Sequence, residues 1–171
     1  MPYARTNLRT DPPDVGPRFD GPPGLMFRHA SAALGLERSG LCLQHVPPGV
    51  RFPYGHTHRT QEEVYVVVGG SGRMKLDDEI VAVATWDAVR VAPGTWRGYE
   101  AGPDGLDLLV FGAPGLGDDP RGDVTGERDW WPRRRRAAAR HRRAGGRTVS
   151  GPGPPRIPTV PQDLPCAPPT L

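Results

Sequence analysis

The middle of the chain is a series of short apolar runs, each closed by residues that favour turns. LCLQHV (41–46), VYVVV (64–68), RMKL (73–76), IVAVA (80–84), AVRVA (88–92) and LDLLVF (106–111) are rich in β-branched or aliphatic side chains. Between them stand Pro47-Pro48-Gly49, Gly69-Gly70-Ser71-Gly72, Asp77-Asp78, Trp86-Asp87, Pro93-Gly94 and Gly102-Pro103-Asp104-Gly105. Strands at this spacing, punctuated by Gly and Pro, predict an all-β sandwich or barrel. Alternation within the second run is informative. Glu63, Tyr65 and Val67 fall on one face of an extended segment, and Val64, Val66 and Val68 on the other. Both faces are largely apolar, so the strand is expected to be covered on both sides. A carboxylate on the inner face of such a strand is costly unless it is paired or bound to a metal. Tyr65, Val67, Met74, Leu76, Val91 and Phe111 are expected in the core, and Ala30 to Leu36 admits one helical turn.

The flanks read differently. Residues 1–24, rich in Pro, Gly and Asp, form an irregular N-terminal arm; 25–118 form the barrel, 119–132 a C-terminal extension, and 133–171 a basic, Pro-rich tail. The tail has almost no apolar periodicity and cannot bury enough surface to offset its ordering entropy, so disorder is expected. It carries nine Arg against one Asp (Asp163), which leaves an acidic body within a whole-chain charge of +3. Its arginines are not interleaved with aromatic residues, so a solvated tail is expected in preference to a nucleic-acid site. An Arg-, Ala-, Gly- and Pro-dominated terminus also fits coding sequence read out of frame. Trp130 and Trp131 are expected to cover a barrel face or a dimer seam.

At 171 residues the chain suits a single domain with a real core. No run approaches the length of a membrane span and the first residues lack a secretory h-region, which predicts a soluble, cytoplasmic protein without membrane partners. Cys42 lies in an apolar run and Cys166 in the tail, so no disulfide is expected.

Candidate chemistry concentrates in GHTHRTQEEVYVVVGGSG, Gly55 to Gly72. His56 and His58, two apart, point to the same side of an extended segment, and Glu63 comes five residues later. Two imidazoles and a carboxylate suit Fe(II), Mn(II) or a similar divalent ion with open positions. The plainer alternative is a pair of exposed loop histidines and a strand-edge acid.

His56-Thr57-His58, then Glu63, then Gly70, preceded by Pro48-Gly49, resembles the first motif of the cupin superfamily. The stretch from Trp86 to Arg97 resembles the second motif with departures: Trp86 replaces a Gly, Ala92 a Pro, and Arg97 the fourth ligand, a His. The resemblance spans about residues 40–112. It implies a double-stranded β-helix, or jelly-roll barrel, with the site inside. It further implies a divalent metal (Fe, Mn, Ni or Zn) on His56, His58 and Glu63, and no organic cofactor. Arg97, Tyr65 and Trp96 are then expected to bind a small, anionic molecule, and no residue is assigned to catalysis. An enzyme of this kind would be a metal-dependent dioxygenase or isomerase. Two alternatives stay open. Arg97, a permanent cation that cannot ligate a metal, pairs with Glu63 in a metal-free binding or sensor protein; or the chain is an interaction protein using its tail. Apolar strand faces further predict a homodimer.

Overall fold

A computed structural model describes residues 2–113 and 122–131. Eight strands account for about half of the described chain: β1 (Met26–His29), β2 (Gly40–Val46), β3 (Tyr54–His58), β4 (Glu63–Leu76), β5 (Glu79–Ala84), β6 (Ala88–Val91), β7 (Arg97–Gly112) and β8 (Val124–Arg128). The one α-helical turn among the described residues, α1 (Ser31–Leu34), lies within the segment predicted for it and stops at Gly35, which takes a left-handed φ of 63°.

Two long antiparallel strands, β4 and β7, form the spine. The first half of β4 pairs with β6 on one side and the last part of β7 on the other; its second half pairs with β5 and the first part of β7. On its far side β7 meets β2 and, at its start, β3. Strands β1 and β8 extend the sheet beyond β2 and β3. The sheet curls on itself into the predicted jelly-roll barrel.

Glycine sets the curvature. The composition of Gly69–Gly72 and Gly102–Gly105 predicts chain-reversing turns, yet both lie inside single strands. Gly70 (φ 73°) and Gly105 (φ 82°) let β4 and β7 bend side by side while pairing continues, with register shifts between Val67 and Gly69 and between Gly70 and Gly72. A Cβ on Gly70 would stand 2.1 Å from the Gly105 carbonyl oxygen, so no other residue fits this nested bend. Flexible backbone at a barrel corner and at a hairpin turn has the same composition, which is why the sequence points to reversal.

Inside, aromatic rings run in file: Phe19 on Phe27 and Phe52, Phe52 on Tyr99 (centroids 4.9 Å), and Tyr99 on Tyr65 (6.2 Å). Of the expected core residues Tyr65, Val67, Met74 and Val91 are buried, Leu76 packs beside them, and Phe111 faces outward, 43% exposed. The N-terminal arm contributes to this core. Phe19 closes a short 3-10 turn (Gly16–Phe19), and Asp14 bridges to Arg28 on β1. Among the described residues no helix is long and apolar enough to cross a membrane. Residues 133–171, and with them Cys166 and the basic run, lie outside the described residues.

Candidate metal centre

Beside the aromatic file the barrel interior turns polar. Register places the groups. His56 on β3 lies directly opposite Arg97 on β7, so both point to the same face. His58, two residues on, shares it, and Glu63 and Tyr65 reach the same space from the start of β4. Glu63 and Arg97 are buried, at 1% and 0% exposure, and His58 is buried with them. The His56 side chain keeps 22% of its surface and is the ligand candidate nearest solvent.

His56, His58 and Glu63 bring their ligand atoms within 4.8 Å of one another. Glu63 Oε1 lies 3.3 Å from His58 Nε2, and Oε2 lies 3.6 Å from His56 Nε2. Donors held about 2.1 Å from one ion stand about 3.0–3.4 Å apart, so the separations of Glu63 from each histidine are close to those of donors sharing a divalent cation. The imidazole planes are nearly perpendicular, at 85°, with centroids 5.4 Å apart.

Hydrogen bonds set the protonation. Tyr65 Oη donates to Glu63 Oε2 at 2.6 Å. His58 Nδ1 lies 3.1 Å from Asp123 Oδ2. A carboxylate only accepts, so Nδ1 donates to Asp123, while Nε2 faces a second carboxylate, Glu63. Burial lowers the pKa of His56 despite the opposing pull of Glu63, which favours the neutral, metal-competent imidazole. Burial alone would raise Glu63, but hydrogen bonds and charge from His56 and His58 hold it well below the usual carboxylate range. Tyr65 is pushed well above its ordinary value by burial and by the Glu63 carboxylate, so it stays a hydrogen-bond donor.

Arg97 completes the group. Its Nη2 lies 3.4 Å from Glu63 Oε2, while Nη1 donates to the carbonyls of Thr95 (3.1 Å) and His56 (3.4 Å). Its Nε and Nη2 have no hydrogen-bond partner among the described residues.

Trp96, expected beside a ligand, is not brought to this group. It precedes Arg97 on the chain, so strand alternation turns it to the outer face, where its ring stacks on Trp130 at 5.5 Å. Proximity in sequence to a site residue is a poor guide where neighbours face opposite ways. Arg97 and Tyr65 do join the site, both buried beside Glu63. The residue that sequence reasoning missed is Asp123. It stands in a Gly/Asp-rich segment where nothing distinguishes it from its acidic neighbours; only the fold delivers it to His58.

Comparison with known proteins bears on the fold. The family model described as "Cupin domain" matches residues 42–111. A cupin protein from Bacteroides fragilis shares 22% identity and superimposes with a TM-score of 0.55 over 70% of this chain and 89% of that one. A variant of Streptomyces PAC13, solved with uridine, gives 15% identity and a TM-score of 0.56 over 75% and 93%. KdgF from Halomonas sp. gives 20% and 0.51 over 66% and 94%. These likenesses are of fold. A search of curated proteins returns no match to the chain. The matched segment contains both histidines, Glu63 and Arg97, and the strands around them close in the same way: residues 42–111 match the cupin domain, and the fold is that of the cupin proteins.

Proposed function

We propose that this cupin holds a divalent metal ion on His56, His58 and Glu63 and offers it to a small anionic molecule arriving from the His56 side. The orientation of His58 carries the reading. Asp123 accepts from Nδ1, which aims Nε2 at a carboxylate oxygen 3.3 Å away. Two electron-rich atoms at that distance repel unless a cation or a proton lies between them, and the third donor, His56, completes a metal set. Such a donor set suits Fe, Mn, Ni or Zn, and the ion would supply Lewis acidity or a redox centre. Tyr65 orients Glu63, and Arg97 adds a sealed positive charge. A divalent ion with Arg97 outweighs Glu63 and Asp123 by one charge, which favours an anionic ligand at the open positions.

Arg97 lying 3.4 Å from Glu63 supports a second reading, in which the guanidinium neutralises the carboxylate and the barrel is a metal-free binding or sensor protein. Metal analysis of protein purified without added metal separates the two. Stoichiometric Fe, Mn, Ni or Zn that disappears in His56→Ala and Glu63→Ala supports the first. No metal under any loading leaves the second.

We also propose a homodimer. Val64, Val66, Leu109 and Phe111 share the outer face of β4 and β7 through the register pairs Val64–Phe111 and Val66–Leu109, and none of the four is fully buried. Light scattering tests this; a monomer at all concentrations rejects it.

A further inference from the structure

We infer that the site is completed from outside the matched cupin domain, with Asp123 as a positioning residue for the proposed metal ligands and residues 124–131 as the strap that holds Asp123 in place. The inference rests on the metal reading above. Both oxygens of the Asp123 carboxylate are engaged. Oδ1 accepts from the Thr60 amide (2.7 Å) and Thr60 Oγ1 (2.6 Å); Oδ2 accepts from the Gln61 amide (3.2 Å) and His58 Nδ1 (3.1 Å). The Asp123 carbonyl in turn accepts from the Arg59 amide at 2.8 Å. Asp123 thus orients the imidazole of one ligand and ties down residues 59–61, the connection that sets where Glu63 stands relative to His58. A partner on the distal nitrogen of a ligating histidine fixes its ring and tautomer and raises its basicity.

Residues 124–131 anchor Asp123. Strand β8 pairs along the whole of β3, from Val124 opposite His58 to Arg128 opposite Tyr54. Trp130 then seats on the outer face over Gly55, where a Cβ would come within 2.3 Å of its ring, and over Gly98. Its ring stacks on Trp96, and Lys75 Nζ sits 3.7 Å from its centroid. Trp131 places its ring 4.3 Å from the Arg51 guanidinium and its carbonyl oxygen accepts from Arg51 Nη1 at 2.7 Å. His56 and His58 face inward from β3 while Trp130 grips the same strand from outside.

The test uses the full chain and two readouts. Zn(II) or Co(II) affinity is measured by competition with a chelator, and the His58 tautomer is read from imidazole 15N shifts in metal-free protein. Asp123→Ala is expected to weaken metal binding about 10- to 100-fold and to remove the Nδ1-protonated signature of His58. Trp130→Ala, which loosens the strap far from the ligand atoms, is expected to weaken binding by less, with that signature partly retained. Metal binding within about twofold of the parent in Asp123→Ala, or an unchanged His58 tautomer, overturns the inference. Should Asp123→Ala fail to fold, Asp123→Asn, which keeps one accepting oxygen, is judged by the same two readouts. A parent protein that binds no metal defeats the metal reading instead, and the tautomer measurement then decides the role of Asp123 by itself.

Discussion

Arg97 Nη2 lies 3.4 Å from Glu63 Oε2, and both side chains are sealed inside the barrel. The pair is a charge balance that a metal ion would disturb, since Glu63 cannot serve a divalent cation and a guanidinium equally. Arg97→Met removes the buried cation beside Glu63, a change that costs at most about 3–5 kcal/mol, since Tyr65, His56 and His58 still face the carboxylate. The same substitution removes a cation from beside the proposed ion. Metal-free Arg97→Met is therefore expected to unfold at lower urea than the parent, yet to bind Zn(II) more tightly. Denaturation with and without metal checks both. Equal loss of stability in the two states would argue that Arg97 has no electrostatic dealings with the site.

Gly55 has no conformational reason to be glycine, since its φ is ordinary; it is there because Trp130 occupies the space of a side chain. Gly55→Ala is expected to displace the ring at a cost of about 1–3 kcal/mol, visible as a red shift in tryptophan fluorescence. Adding Trp130→Ala should cost less in this background than in the parent, because the clash has already broken the contact. Strict additivity in a double-mutant cycle would contradict the packing described.

Trp86 adopts φ 76° while 79% exposed. A left-handed conformation costs a bulky residue about 1–2 kcal/mol, and exposure returns little of it. Trp86→Gly is expected to raise stability by about 0.5–1 kcal/mol after the added entropy of glycine in the unfolded chain is subtracted. A lower melting temperature would show that Trp86 makes contacts that offset its backbone.

Glu100 receives Arg51 and Arg73, and although burial opposes them, these cations hold its carboxyl below the usual value of 4.5. On acidification the unfolded chain takes up the proton first, so the stabilisation is present above about pH 4.5 and is lost as pH falls towards the folded-state value. Glu100→Gln is expected to be less stable than the parent at neutral pH, with the difference closing as the solution becomes acidic. Urea midpoints from neutral to acid pH check this; a gap that widens on acidification would reverse the assignment.

The run of short apolar segments and the His56, His58, Glu63 spacing are legible in the chain because strand periodicity and a short motif are local properties. Alternation puts both histidines on one face and identifies Glu63 as a carboxylate needing a partner before any fold is considered. Long-range pairing decides the rest. The glycine clusters at 69–72 and 102–105 become bends because β4 and β7 lie side by side and each bend accommodates the other. Trp96 turns outward because register makes its neighbour Arg97 face His56. Asp123 reaches His58, 65 residues earlier in the chain, only because β8 adds to the edge of β3. Composition and periodicity describe what each segment wants to bury; which buried groups meet is set by the sheet's hydrogen-bond register, and that register exists only once the chain has closed on itself.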